Sequence, residues 1–232
     1  RRNRKRANSE RERLRQIIDV LPQLVFSKSE SGTYLLANEA IADAYGTTVA
    51  ELEGSTDADF ADSEEEVEQF RADDRAVIES GEPKYIPEEP LTTDDGDQRI
   101  LATRKIPYDP VDKDGDAVLG VATDITELKQ REAELEMQSA AMEASMDGIS
   151  ILDADGEYIY MNEAHASVFD YDPDELMGSS WQRLYGESEV ERLEQEVFPK
   201  LETAGQWRGE TVGRRCDGTP VDQEITLSLL ED

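Results

Sequence analysis

Apolar residues recur along the chain in two rhythms, and the switches between them mark the elements. Leu14, Ile17, Ile18 and Leu21 fall at helical spacing, behind Ser9 with Glu12 three residues on, a capping-box pattern. Pro22 ends that helix. Leu24-Val25-Phe26 then reads as a strand, Ser31-Gly32 as a turn and Thr33-Tyr34-Leu35-Leu36 as a second strand. Asn38 suits the N-cap of the next helix, because its side-chain oxygen can accept from the free amides of the first turn. The apolar face of this helix is Ala40, Ile41, Ala44 and Tyr45, and Gly46 stops it. Val67, Phe70, Val77 and Ile78 predict a longer amphipathic helix, stopped by Gly81 and Pro83. Three strand-like stretches follow, near 84–91, 98–106 and 117–123. They are separated by Asp95-Gly96 and Asp114-Gly115, and Asp-Gly supplies the positive φ of a tight hairpin.

The pattern then repeats. A shift of 124 residues places Gly32 on Gly156, Tyr34 on Tyr158 and Asn38-Glu39-Ala40 on Asn162-Glu163-Ala164. It also places Ala42 on Ala166, Glu51-Leu52 on Glu175-Leu176 and Gly54-Ser55 on Gly178-Ser179. Asp95-Gly96 recurs as Asp217-Gly218, with the shift down to 122. A match at fixed spacing means two copies of one α+β domain. The division is a charged linker helix over 1–13, a first domain over 14–126, a connecting helix over 127–145 and a second domain over 146–232. Leu128, Leu135 and Met142 in the connector recur every seven residues, but Arg131, Gln138 and Ser145 fill the other core positions. The connector is therefore either a loosely pairing coiled coil or a solvated linker helix.

Charge adds a second layer. There are 55 acidic and 24 basic residues, a formal net charge of −31. A carboxylate coat of that density repels itself in dilute buffer and is screened in molar salt, where the Debye length is about 3 Å. The acidic excess, with few lysines, fits a protein of a salt-in halophile. Regularly spaced apolar segments argue against the disorder that such charge can also signal. The charge disfavours nucleic acid as a partner of the body of the chain. Arg1-Arg2-Asn3-Arg4-Lys5-Arg6 is a basic cluster, read either as the end of an upstream linker helix or as a contact to an anionic surface. No apolar run reaches the roughly 20 residues that span a bilayer, so no membrane segment is expected in this stretch; the expected location is cytoplasmic, with membrane attachment of the parent left open.

The chemistry of the sequence is sparse. Cys216 and His165 are the single cysteine and the single histidine, which excludes disulfide frameworks, cysteine-rich zinc modules and any two-histidine metal site. Asp112-Lys113-Asp114-Gly115-Asp116 opens like a calcium loop, but Ala117 stands where that loop needs glycine and Thr123 where it needs glutamate. A hairpin turn is the better reading, and no metal is expected. No phosphate loop or histidine-kinase catalytic motif is present, so the chain itself is not an enzyme. At the repeat shift His165 falls on Ile41, in an apolar helix face. It is either a core histidine satisfied by a backbone carbonyl or a ligand contact that titrates near neutral pH. Trp181 and Trp207 read as core or edge packing.

The ordered set of motifs resembles the PAS family of sensory domains. Leu21-Pro22 with Val25-Phe26, then Gly32 through Asn38, resembles the first hairpin and the asparagine that opens the next helix. Ala72-Asp73-Asp74-Arg75 through Ser80-Gly81-Glu82-Pro83 resembles the main helix and its exit, and Gly120 through Thr126 the last strand with its Asp-Ile-Thr signature. The second copy matches through Asp155-Gly156, Asn162-Glu163-Ala164, Gly178, Trp207-Arg208-Gly209-Glu210 and Asp217-Gly218.

The resemblance implies an α+β fold, a five-stranded antiparallel sheet of order 2-1-5-4-3 with helices on one face, present twice. The second copy lacks its last strand, which maps beyond Asp232. Its sheet should then borrow a strand, pair two edges directly or be less ordered. The implied function is a sensory module that binds a small ligand or partner and signals through its C-terminal helix. The parent would be a haloarchaeal sensor histidine kinase, acting on a response regulator; the alternatives are a ligand-free dimerisation scaffold, or a transcription regulator or transducer. Phe26, Tyr45, Phe70 and His165 are pocket candidates. Asp124, Ile125 and Thr126 are the expected signal-transmission residues, with Asp124 or Thr126 capping the output helix; Asn38 and Asn162 are helix caps, the alternative being ligand contacts. Photosensory members carry a cysteine early in the main helix region, and haem-binding members a histidine on it. Neither is present, so covalent flavin and haem are disfavoured and a non-covalent ligand remains. A homodimer is the expected assembly.

Overall fold

A computed structural model describes residues 12–61, 63–110 and 116–230. The chain forms two compact units that divide between Glu132 and Ala133, inside the connecting helix. The basic cluster at 1–6, the Ser9 cap and the Asp112–Gly115 turn lie outside the described residues.

In the first unit a helix over 12–19 (α1) precedes β1 (Leu24–Ser29) and β2 (Tyr34–Ala37). Then come α2 (Glu39–Ala44), α3 (Val49–Leu52), a 3-10 turn (Asp57–Asp59) and α4 (Glu64–Ser80). Ser63 caps α4 through the Glu66 amide, and Gly81 ends it at φ 68°, a left-handed position that a side chain resists. The meander is β3 (Lys84–Thr92), β4 (Gln98–Tyr108) and β5 (Ala117–Asp124). The sheet has the order β2-β1-β5-β4-β3 and every pairing is antiparallel. β5 sits in its centre, with Leu24 opposite Ala122 on β1 and Leu101 opposite Asp124 on β4. The register breaks on β3 between Ile86 and Glu89, around Pro87, which an edge strand tolerates because its outer amides face no neighbour. Leu24, Phe26, Tyr34, Ile41, Leu52, Phe70 and Leu101 pack together beneath the sheet.

α5 runs unbroken from Thr126 to Glu143 with no buried residue. The heptad positions Leu128 and Leu135 are exposed, as are Leu14 and Ile17 on α1.

The second unit repeats the plan with β6 (Ser150–Leu152), β7 (Tyr158–Met161), α6 (Glu163–Val168), α7 (Pro173–Leu176) and a 3-10 turn (Trp181–Leu184). Its long helix is α8 (Glu187–Arg192), a π-turn (Leu193–Val197) and α9 (Phe198–Ala204). The strands β8 (Gln206–Arg214) and β9 (Pro220–Ser228) close it. The sheet is not continuous here. β6 pairs with β7 and β8 with β9, as two separate two-stranded sheets. Of the three expected outcomes, direct pairing of the two edges does not occur; among the described residues the second copy has no counterpart of β5.

Candidate functional site

The interior of the first unit is ionic. Lys28 on β1 and Lys105 on β4 are buried, as are Asp57, Asp74 on α4 and Glu89 on β3. Lys28 Nζ reaches Asp57 at 2.6 and 2.8 Å and lies 3.7 Å from Asp74. Lys105 Nζ lies 2.8 Å from Asp74 and 3.3 Å from Glu89. Tyr34 donates its hydroxyl to Asp57 at 2.6 Å, Tyr45 at 3.3 Å, and Thr103 donates to Glu89 at 2.5 Å. The rings of Tyr34, Phe26 and Phe70 stand 4.7, 4.9 and 5.6 Å from the Lys28 ammonium, within cation–π range.

Burial alone would push the Asp57 carboxyl up. The Lys28 charge and hydrogen bonds, with the Tyr34 hydroxyl, outweigh it and hold the group below its ordinary value. Lys105 shows the mirror case, with burial lowering its pKa and the charges of Asp74 and Glu89 raising it above normal. Burial pushes the phenols of Tyr34 and Tyr45 well up, so both stay protonated donors. The cavity left among these groups is about 20 Å3, room for one water. Phe26, Tyr45 and Phe70 line it together; His165 belongs to the other unit.

The second unit replaces the two lysines and the two aspartates of this network with apolar residues. Leu152 stands at the Lys28 position, Trp181 at Asp57 and Phe198 at Asp74, all at the 124 shift; Leu227 stands at Lys105 at the 122 shift. Trp181 packs edge-on against Phe198 with centroids 5.1 Å apart, and against Tyr185 at 5.7 Å. His165 is held between the rings of Tyr158 and Phe169. The carbonyl partner expected for it is missing at Nε2, which is buried without a hydrogen bond. Burial lowers its pKa to about 4, so the ring is neutral at physiological pH rather than poised near it. An open cleft of about 600 Å3 runs beside it, between β6 and β9.

Asn38 and Asn162 do more than cap. Asn38 Oδ1 accepts from Ile41 N and from Val25 N, and Nδ2 donates to the carbonyls of Ile18 and Gln23. Asn162 repeats each bond 124 residues on, accepting from His165 N and Ile149 N and donating to Met142 O and Asp147 O. Asp19 accepts from Glu39 N, and Glu143 from Glu163 N. Each asparagine thus fastens the end of the preceding helix to the first strand of its own domain.

At the exit of the first unit, Ile125 N donates to Ile100 O at 2.9 Å, and Ile100 N donates to the Thr126 hydroxyl at 2.9 Å. Thr126 therefore spends its oxygen on β4 and does not cap α5. Asp124 accepts from Thr126 N at 2.9 Å, and Lys129 on the first turn of α5 pairs with Glu88 at 2.7 Å.

A family model described as the PAS fold matches residues 18–130, and a second described as a PAS domain matches residues 146–232. The chain is two PAS domains in tandem. No curated protein matches it. Among solved structures it is similar to the PAS domain of an HTR-like protein from Haloarcula marismortui, at 19% identity over 53% of this chain and 98% of that one, TM-score 0.43. It is also similar to the PAS domain of BvgS from Bordetella pertussis, at 24% identity over 56% and 98%, TM-score 0.42. A third is the Vibrio cholerae VqmA dimer, at 22% identity over 50% and 52%, TM-score 0.44. The match thus spans about half the length of the VqmA chain. PAS domains are general sensory and signalling modules. Among the described residues no helix is long and apolar enough to cross a membrane, and no group of three or more histidine, cysteine or carboxylate side chains is arranged to hold a metal ion.

Proposed function

We propose that the tandem is a non-catalytic sensory module whose first PAS domain signals through β5 and the Asp124-Ile125-Thr126 junction into α5, toward a histidine-kinase output domain and its response regulator. The observation that carries this reading is the reciprocal pair of hydrogen bonds between Ile100 and the junction. One bond enters from Ile125 and one leaves to Thr126, so a shift of β4 relative to β5 must move the first turn of α5. The carboxylates of the first interior are engaged by lysines, which suits a structural or sensing role rather than acid–base catalysis. The exposed apolar residues of α1 and α5 suit a homodimer, and the net charge of −31 suits a haloarchaeal host. The second domain, apolar inside, is the better host for a non-covalent ligand; the first has no room for haem or flavin without opening.

Thr126→Val keeps the shape and removes the acceptor of the Ile100 amide, whereas Thr126→Ser keeps it. The valine variant should exchange the amides of Ile100 and the start of α5 at least several-fold faster than the serine variant, with β1 unchanged, and should alter phosphoryl flux in the parent kinase. Equal exchange in all three proteins with normal signalling removes the junction from the pathway. A second reading, a dimerisation scaffold without ligand, is favoured by the 20 Å3 volume of the first interior; it predicts a stable dimer and no ligand-dependent change in α5.

A further inference from the structure

At its break in register β3 carries one residue more than β4. Ile86 lies opposite Thr103 and Glu89 opposite Leu101, so Pro87 and Glu88 together face the single Ala102. A bulge of that kind moves every later side chain to the other face of its strand. Before it, Lys84 and Ile86 lie opposite the buried Lys105 and Thr103; after it, Glu89 and Leu91 are themselves buried. Without the extra residue Glu88 would turn inward and Glu89 outward. As built, the two glutamates leave the bulge in opposite directions. Glu89 accepts from the Thr103 hydroxyl at 2.5 Å and lies 3.3 Å from Lys105 Nζ, inside the ionic network. Glu88 is exposed and meets Lys129 Nζ, on the first turn of α5, at 2.7 Å. The second domain has neither part. There β8 pairs with β9 in one unbroken register from Gln206↔Ser228 to Arg214↔Pro220, and Leu227 stands where the first domain has Lys105.

We propose that the β3 bulge is a second coupler between the ionic interior and α5, with Glu88, Glu89 and Lys129 as its positioning residues. It works beside the Asp124-Ile125-Thr126 junction and does not pass through it. The proposal rests on the reading of α5 as the output helix. Glu88 and Glu89 share a peptide bond, so a movement of Lys105 or Thr103 that carries Glu89 with it displaces the Glu88 carboxylate against Lys129. The bonds to Ile100 hold the chain at Ile125 and Thr126. A helix held only at its first residue can swing, and a contact three residues further on removes that freedom. The Glu88–Lys129 pair is exposed and adds little to stability. Its part is to set the direction in which α5 leaves the domain.

The test is amide exchange of the whole chain in about 0.2 M and about 2 M potassium chloride. Lys129→Gln should speed exchange of the Gln130–Glu132 amides about two- to fivefold at the lower salt. Lys129→Arg should restore the wild-type rate, and the difference should fade at the higher salt. Glu89→Gln alters only the interior end. It should speed the same amides, lose that effect in the Lys129→Gln background and keep it in the Thr126→Val background. If Glu89→Gln also loosens β1, the coupling is read from the outside instead. Coupling is reciprocal, so the exposed Glu88→Gln should speed exchange of Leu101 and Thr103, which flank the bulge. Additive effects of Glu89→Gln and Lys129→Gln overturn the proposal, as does a Glu88→Gln variant silent at Leu101 and Thr103. An effect of Glu89→Gln that vanishes with Thr126→Val also overturns it, and returns all coupling to the junction with the output reading intact. If neither Thr126→Val nor Glu89→Gln moves α5, the proposal and the output reading fall together.

Discussion

Replacing Lys28 by methionine tests whether the ionic interior of the first domain holds that domain together. Methionine keeps the length of the side chain and removes the charge. Lys28 and Asp57 are almost wholly buried, with side-chain exposures of 3% and 1%. The substitution takes both ammonium contacts from Asp57, leaving the hydroxyls of Tyr34 and Tyr45, and removes the 3.7 Å contact with Asp74. Breaking a buried pair from one side costs about 3–5 kcal/mol, because the other charge stays buried and uncompensated. That is a large share of the stability of a small domain. Asp57→Asn in the same background removes the stranded charge and still offers Tyr34 an oxygen, so the double variant should recover most of the loss.

The pH dependence of that loss carries a definite sign. In the wild type the folded pKa of Asp57 is depressed, so its contribution is present above about pH 4, the unfolded value, and is lost as pH falls through the folded one. Without Lys28, burial wins and the folded pKa rises. The penalty is then complete at neutral pH and relieved as acid protonates the group. The gap between variant and wild type should narrow from pH 7 toward pH 4. Both tryptophans, Trp181 and Trp207, lie in the second domain, so indole fluorescence is blind to this unfolding. Hydrogen exchange at the amides of β1 and β5 reads it directly. A loss below about 1 kcal/mol, or a gap that does not change with pH, would refute the account of a desolvated, lysine-dependent carboxylate.

Three further outcomes are expected. The proton resonances of the lone histidine should titrate with a midpoint near 4, as burial of the ring dictates, and a midpoint near 6.5 would mean that the ring is solvated. Asn162→Ala removes four hydrogen bonds and should cost about 2–4 kcal/mol in the second domain, freeing the last turn of α5 to exchange; Asn38→Ala should do the same to α1 and the first domain, and a loss of less than half a kcal/mol in either would deny the fastening role. Thermal midpoints should rise between dilute buffer and molar potassium chloride, since the net charge of −31 is unscreened in the first; a flat or falling midpoint would contradict the reading of the surface.

Much of the fold could be read because its punctuation is local. Asp95-Gly96 and Asp217-Gly218 set hairpins, Asn38 and Asn162 open helices, and Gly81 closes one, each through its own backbone geometry. The ionic interior could not be read that way. Lys28, Asp57, Asp74, Glu89 and Lys105 come from separate segments of a chain with 55 acidic residues, and nothing local distinguishes a buried carboxylate from a solvated one. The signal was present in the repeat. A charge that aligns with Leu152, Trp181, Phe198 or Leu227 in the other copy marks an interior position that one copy filled with ions and the other with hydrocarbon. For His165 the same comparison with Ile41 gave the correct side of the helix. The bonding of the ring escaped it, because a partner at Nε2 depends on atoms far away in sequence. The role of Thr126 was hidden likewise, since its acceptor is claimed by Ile100, on another strand.

The two fastenings of α5 give the helix a mechanical character. It is gripped near Thr126 by β4 and near Met142 by Asn162, and no residue between them is buried. Each α-helical residue advances the azimuth by about 100°, so one residue inserted near the middle would turn the second grip about 100° away from the first, and two would put it at about 200°. Seven would bring it back to within about 20°. On the signalling route proposed above, output should vary periodically with the length of this helix, failing and returning as residues are added, while each domain keeps its own stability throughout.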